Sequence, residues 1–286
     1  MINSVKNFLK KHLLIFRVWD KFSPAAQAAQ RQLFLYYQER VASGNPPALT
    51  DTGLKVFSQH EEDGLLLFIF STIGMGGKRF VEIGSNDGVN SNCANLVLNF
   101  GWYGLFIDGD KTAVERGEKF YKRYPDPWAY HPKFLCTKVT RENVNQLIGD
   151  AGFQGEIDLL SIDLDGYDYW IWDALEVVAP RVVIIETHVE FGLNNIVVPY
   201  DANYSFPGKH PVYHGASPVA MTRMAKRKGY RLVGANEYGH NLIFIKDSLN
   251  VDLIPEVRVE TLLTHPSATE SFKDFEPIKD WEYLEG

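Results

Sequence analysis

The segment Arg79–Asp110, RFVEIGSNDGVNSNCANLVLNFGWYGLFIDGD, constrains this chain more than any other. Arg79–Ile83 is a short, β-rich apolar run that stops at Gly84. Asn90–Phe100 carries apolar residues at helical spacing, and Trp102–Ile107 reads as a buried strand. Gly84 and Gly88 bracket a turn in which the backbone has to reverse sharply and pass close to a ligand. Asp108 closes the second strand twenty residues beyond Gly88, where such a unit sets a carboxylate against a ribose. The segment predicts a nucleoside-binding α/β sheet.

Two features of the turn argue against a dinucleotide. Gly84-Ser-Asn-Asp-Gly88 lacks the compact G-x-G-x-x-G spacing that seats a pyrophosphate on a helix N-terminus. It also carries Asp87, with Glu82 just ahead of it, and both acids would repel a diphosphate. A nicotinamide-dependent oxidoreductase is disfavoured on the same ground. An acidic turn suits a ligand with an amino cation and a sulfonium, the charge pattern of S-adenosylmethionine. Glu82-x-Gly84-x-Asn86-x-Gly88 resembles the first motif of class I methyltransferases, E-x-G-x-G-x-G, and departs from it at Asn86. Asparagine tolerates left-handed backbone better than most residues, so the turn remains feasible.

The chain of 286 residues is long enough for one large α/β domain with a helical extension. A net charge of -7 argues against the basic face that nucleic-acid binding needs. Cys93 and Cys136, on a helix and at a strand end, indicate neither a disulfide nor a zinc site and fit a reducing cytoplasm. No apolar run is long enough to span a bilayer, and no signal-peptide cleavage pattern is present. Val5–Phe22 interleaves Lys6, Lys10, Lys11, Arg17 and Lys21 with Phe8, Leu13, Phe16 and Trp19. Such a helix suits either an anionic membrane surface or packing against the domain or a second subunit, and packing is the favoured reading. The expected organisation is a helical extension over 1–60, a nucleoside-binding domain over 61–248, and a tail over 249–286 packed on it.

Further along, Ser23-Pro24 reads as a cap and first turn for a helix over Ala25–Ala42, and another helix falls within Asp51–Ile73. A charged helix covers Lys111–Arg123, with a break at Tyr124–Pro127. Tyr130–Val139 predicts a third strand, Thr140–Ile148 a helix capped by Thr140, Ile157–Ile162 a fourth strand, and Arg181–Ile185 a fifth. Ser217-Pro218 starts a helix that Gly229 ends, and Tyr230–Val233 and Asn241–Lys246 form a closing hairpin. Glu82, Asp108, Asp163 and Glu186 then all fall at the carboxyl ends of strands, where open α/β sheets collect ligands.

The motifs VEIGSNDGVNSN, LFIDGD, LLSIDLDGYDYW, VVIIET, VVPYD, HGAS and KRKGYRLVG resemble bacterial methyltransferases of the FkbM-like neighbourhood, over about Glu61 to Lys246. The resemblance implies a Rossmann-like, seven-stranded methyltransferase sheet with helices on both faces. It also implies glycan biosynthesis as the setting, with a sugar, nucleotide-sugar or glycan-precursor hydroxyl as methyl acceptor. An N-methyltransferase acting on a small metabolite and a non-catalytic nucleoside-binding scaffold are the alternatives.

On this reading Glu82, Gly84, Ser85, Asp87, Gly88, Asp108, Gly109, Asp110 and Asp163 bind the cofactor, with Asp108 on the ribose and Thr137 near the adenine. Asp163, Asp165 and Glu186 are candidate ligands for Mg²⁺, since hard cations take carboxylate oxygens. The reading without a metal has Asp165-Gly166 as a turn and Asp168 as a helix cap. Catalysis falls to Asp163, Glu186 and His188, the histidine being first choice as general base in the absence of a metal. His214 is the runner-up. The long connection near 189–216 reads as an acceptor lid, with Tyr200, Tyr204 and His214 as substrate contacts.

Overall fold

The computed structural model describes residues 24–123 and 130–286. The basic segment Val5–Phe22, the Ser23 cap and the break at Tyr124–Pro127 lie outside them. The described strands are β1 (Arg79–Ile83), β2 (Tyr103–Asp108), β3 (Lys133–Cys136), β4 (Gly155–Ile162), β5 (Val178–Glu186), β6 (Ile196–Val197), β7 (Tyr230–Ala235), β8 (Asn241–Lys246) and β9 (Leu284–Glu285). Seven of them form one sheet in the order β3-β2-β1-β4-β5-β8-β7, parallel except for β8, which runs antiparallel to both neighbours. This is the α/β architecture expected from the sequence. The chain steps outward from β1 to β3 and then crosses back to β4. The strand order therefore reverses between β1 and β4, which opens a crevice at their carboxyl ends.

The helices are α1 (Pro24–Ala42), α2 (Glu62–Ile73), α3 (Ala94–Phe100), α4 (Lys111–Arg123), α5 (Val144–Asp150), α6 (Asp168–Ala174), α7 (Pro218–Arg227) and α8 (Pro266–Ser271). Strand alternation divides the core between the two faces of the sheet. Val81, Ile83, Ile107, Leu160 and Val183 pack with Ile148 of α5, Trp172 of α6 and Met221 of α7. Phe80, Phe106, Leu159 and Val182 pack with Phe70 of α2, Val97 of α3 and Tyr121 of α4. Truncating one of these buried chains to alanine costs about 2–5 kcal/mol. At the opposite end of the sheet from the crevice, Arg181 pairs with Asp158 (2.8 Å) and donates to the carbonyls of Ile73 and Gly74. That clamp ties the C-terminus of α2 to β4 and β5.

Several boundaries differ from the sequence expectation. β3 spans only Lys133–Cys136 of the expected Tyr130–Val139. β5 begins at Val178 and contains Pro180, which is tolerated because the β8 ladder starts only at Val182. α3 begins at Ala94 rather than Asn90, because Ser91–Cys93 form a turn bound to the Glu82 carboxylate. α5 begins after Asn143, whose side chain accepts from the Thr140 N–H, so Thr140 is not its cap. The Ser217 cap is as expected, its hydroxyl accepting from Ala220 N–H. Cys93 and Cys136 are both free.

The tail crosses the connection over 189–216. β9 pairs antiparallel with β6, and Tyr213 donates its hydroxyl proton to the carbonyl of Glu282. Phe191 meets Phe275 and Tyr283 edge-on. No helix among the described residues is long and apolar enough to cross a membrane.

Candidate active site

A cavity of about 1100 Å³ opens at the strand-order reversal. Gly84, Asn86, Asp108, Gly109, Asp110, Thr137, Asp163, Asp165 and Glu186 form the sheet side of its wall, and Tyr167, Tyr204, Ser205 and Phe206 also line it. Lys55, Gln59, Arg116 and Lys138 bring polar and cationic groups.

The glycine turn is set by its contact with β4. Gly84 has φ 82°, and a Cβ there would lie 1.6 Å from the carbonyl oxygen of Asp163, so only glycine lets the two strand ends meet. Gly84 and Ser85 both donate their N–H to the Ile107 carbonyl, while Asp163 N–H donates to that of Ile83. Asn86 takes the left-handed conformation at φ 51°, as its residue type allows. Its N–H donates to Asp108 Oδ2 at 2.7 Å, and Asp110 N–H donates to Asp108 Oδ1 at 2.7 Å. Each carboxylate oxygen can still accept a second hydrogen bond, so Asp108 keeps capacity for a pair of further donors from the cavity.

Four of the expected cofactor residues are elsewhere. Glu82 lies on the α3 face of the sheet and accepts from the Ser91 hydroxyl and from the N–H groups of Asn92 and Cys93. Burial pushes its pKa up, and those hydrogen bonds pull it back. Asp87 is fully buried, accepts from Val89 N–H and stands 3.6 Å from Arg116, so its charge is answered inside the protein. It cannot be what repels a diphosphate. Ser85 is buried, and Gly88 is part of the turn, accepting the Tyr121 hydroxyl proton at its carbonyl. None of these four lines the cavity.

The acids at the ends of β4 and β5 do converge. Carboxylate oxygens of Asp163, Asp165 and Glu186 all lie within 4.8 Å of one another. Burial, followed by the charges of Asp168 and Asp165, pushes the Asp163 carboxyl up to about 8. Burial and Asp163 push Glu186 well above the carboxylate range. Glu186 Oε2 is buried without a hydrogen-bond partner. Asp165 stands in the left-handed region at φ 49°. The buried Asp168 holds this turn by accepting from the N–H groups of Leu164 and Gly166, and so organises the turn as well as starting α6. Three hard oxygen donors this close suit a divalent cation such as Mg²⁺.

The expected base and two of the expected substrate contacts do not reach the cavity. His188 stands 3.6 Å from Glu190, and its ring packs 4.0 Å from that of His214. His214 is buried and shares a hydrogen bond with the Pro211 carbonyl, and burial followed by His188 lowers its pKa to about 4. Tyr200 donates to Glu142 and receives Arg141 N–H, anchoring the connection over 189–216 to the β3–α5 connection. Tyr204 alone of the expected substrate residues faces the cavity.

Asn86, Lys138, Tyr167 and Arg116 are wall residues that sequence reasoning did not assign to the site. Asn86 had a readable signal, since it occupies the middle-glycine position of the motif. Lys138 and Tyr167 carry none, because their role depends on the lid: Lys138 donates to the carbonyls of Ala202 and Tyr204, and the Tyr167 hydroxyl to those of Asp201 and Tyr204.

No family model matches the chain, and no curated protein matches it in sequence. Among solved structures it is similar to an S-adenosylmethionine-dependent methyltransferase from Clostridium acetobutylicum, at 10% identity and TM-score 0.36, covering 58% of this chain and 82% of that one. It is similar also to magnesium protoporphyrin IX methyltransferase from Synechocystis with bound SAM, at 11% identity and TM-score 0.36, covering 85% and 96%. A third is an O-methyltransferase family protein from Burkholderia thailandensis, at 10% identity and TM-score 0.38, covering 77% and 70%. At this distance function has to be argued from the site itself.

Proposed function

We propose that this protein transfers a methyl group from S-adenosylmethionine to a hydroxyl of a sugar-like acceptor. The observation that carries the reading is the junction of β1 and β4. There the Gly84 turn, the Asp108 carboxylate and the acid cluster share one cavity at the strand-order reversal. An unsatisfied cluster of acids beside a glycine turn favours a ligand that brings positive charge, as a sulfonium with an amino group does. Asp108 would accept the ribose hydroxyls, and Gly109, Asp110 and Thr137 would border the adenine. Gly84 lets the ligand approach the backbone.

When bound, S-adenosylmethionine supplies an electrophilic methyl group, which the acceptor oxygen takes as the bond to sulfur breaks, leaving S-adenosylhomocysteine. Asp163, Asp165 and Glu186 would hold Mg²⁺, which lowers the pKa of a nearby hydroxyl. In the absence of a metal, Asp163 and Glu186, which line the cavity, would accept the acceptor's proton instead. The lid residues Tyr204, Ser205 and Phe206 would exclude water and align the acceptor.

The test is calorimetric titration with S-adenosylmethionine and S-adenosylhomocysteine, with and without Mg²⁺, on the wild type and on Asp108→Ala. The expected result is saturable binding that weakens at least about tenfold in the variant, the cost of losing charged hydrogen bonds to the ribose. Folded wild-type protein that binds neither compound would end the methyltransferase reading.

A further inference from the structure

The connection over 189–216 is held in two different ways along its length. Its stem is a pair of short runs, 196–198 and 215–217. Val198 N–H donates to the Gly215 carbonyl at 2.9 Å, Ser217 N–H donates to that of Ile196 at 3.0 Å, and Val197 forms a bridge with Ala216. Val197, Ala216 and Ser217 are buried. The second run is tied to the domain, Gly215 N–H donating to the Gly166 carbonyl and His188 N–H to that of Ala216. Along its other edge β6 pairs with β9 of the tail. Beside the stem, Trp281 meets the Tyr213 ring edge-on at 4.7 Å, and the Tyr213 hydroxyl donates to the Glu282 carbonyl. The tail therefore straps the stem and the limb that returns to it.

The tip, 201–209, has no such support. None of its residues is buried, and Tyr204 is the one that is not exposed. Its own backbone hydrogen bonds make two turns, Tyr204 N–H to the Asp201 carbonyl and Gly208 N–H to that of Ser205. One ring and two donors hold it to the domain. The Tyr204 ring packs between Gly166 of the domain and Gly208 of the tip, where added Cβ atoms would come within 2.8 and 2.5 Å of it. Lys138 Nζ, from the β3–α5 connection, lies 3.0 Å from the Ala202 carbonyl and 2.9 Å from that of Tyr204. The Tyr167 hydroxyl, just ahead of α6, lies 2.7 Å from the carbonyls of both Asp201 and Tyr204, and its single proton is shared between them. A segment with exposed hydrogen bonds and no buried core opens at far lower cost than the buried stem.

We propose that residues 201–209 open and close over the cavity as one unit, with Lys138 and Tyr167 as the latch and the tail-strapped stem as the fixed base. Tyr204, Ser205 and Phe206 line the cavity, so opening takes away one of its walls and closing restores it. The device does not depend on which ligand the cavity holds, and its test needs none.

The test is hydrogen exchange on the full-length protein, read at Tyr204 and Gly208 in the tip, at Val198 and Ser217 in the stem, and in β4. In wild type the tip amides should exchange more slowly than in an unstructured peptide and much faster than the stem or β4. Lys138→Met should speed the tip amides about tenfold or more, the effect of losing a charged donor. Tyr167→Phe keeps the ring and should speed them about two- to tenfold, the effect of one neutral hydrogen bond. Neither substitution should speed the stem. Trp281→Ala should speed stem and tip together. Latch variants that leave the tip unchanged overturn the proposal, as do latch variants that speed tip and stem equally, or a wild-type tip that exchanges like free peptide. If Tyr167→Phe also speeds β4, its effect is on folding, and Lys138→Met, an exposed position, decides alone.

Discussion

Glu186→Gln should stabilise the ligand-free protein at alkaline pH and leave it nearly unchanged in acid. Glutamine keeps the shape of the side chain, and Oε2 has no partner to lose. With carboxylate oxygens within 4.8 Å, two full charges would repel by about 3 kcal/mol at an effective dielectric constant near 20. Water reaching the exposed Asp165 and the open cavity screens part of this, leaving a gain of about 1–2 kcal/mol. The pH dependence follows from the direction of the shifts. Asp163 and Glu186 are raised above their unfolded values, so their contribution to stability is complete below the ordinary carboxylate range. As pH rises, the unfolded chain gives up these protons first. The folded protein keeps the Asp163 proton until about 8, so wild-type stability declines across that window. The variant lacks one of the two groups and should decline less. Urea unfolding at pH 5, 7 and 9 reads the difference directly, and heating should show it as a rise of about 2–6 °C at pH 9. Adding Mg²⁺ at pH 9 should stabilise wild type much more than the variant. A variant less stable at pH 9, or a gain independent of pH, would refute the reasoning, because either means that Glu186 is satisfied within the fold.

Other substitutions test the frame around the site. Gly84→Ala places a methyl group 1.6 Å from the Asp163 carbonyl oxygen at a positive φ, and should cost about 2–4 kcal/mol in urea unfolding while weakening S-adenosylhomocysteine binding. Arg181→Met leaves the buried Asp158 without its counter-charge and should cost about 3–5 kcal/mol, with the Arg181→Met, Asp158→Asn double variant recovering part of the loss by the same assay. His188→Ala should change S-adenosylhomocysteine affinity less than about twofold in calorimetry, since its ring lies off the cavity wall.

The frame was legible because its signals are local. Arg79–Ile83 and Trp102–Ile107 are runs that bury both faces of a parallel strand, and the glycines between them leave little choice of connection. The acids at the ends of β4 and β5 followed from strand order, since topology alone brings strand ends together. Glu82 and Asp87 were misplaced because a carboxylate near a turn reads alike whether it serves a ligand or the turn's own N–H groups. Strand parity held a clue: Glu82 shares a face with Phe80, which packs under α2 and α3, whereas Val81 and Ile83 face the other way. Tyr167, Lys138 and the two glycines against the Tyr204 ring, Gly166 and Gly208, were hidden by distance along the chain. Gly166 and Gly208 acquire their meaning only when the lid folds back over the Asp163–Asp168 turn, and no spacing within either segment encodes that contact.

How the protein treats its fully buried acids gives the cluster its significance. Asp63 accepts from the N–H groups of Val56, Phe57 and Ser58 and from the Ser58 hydroxyl. Glu62 is met by Asn236, Asn241 and the N–H of His60. Asp158 has Arg181, and Glu82 has the turn at Ser91–Cys93. In each case the fold supplies donors or a counter-charge to at least one carboxylate oxygen, although Asp63 Oδ1 is buried without a partner. Asp163, Asp165 and Glu186 are treated in the opposite way: like charges are drawn together, one of them on left-handed backbone, and no cation among the described residues pairs with any of the three. This crowding of like charges coincides with the strand-order reversal and the glycine turn, and such crowding marks where stability is given up for function. The cationic ligand proposed for this site would supply the positive charge that the three carboxylates lack within the fold.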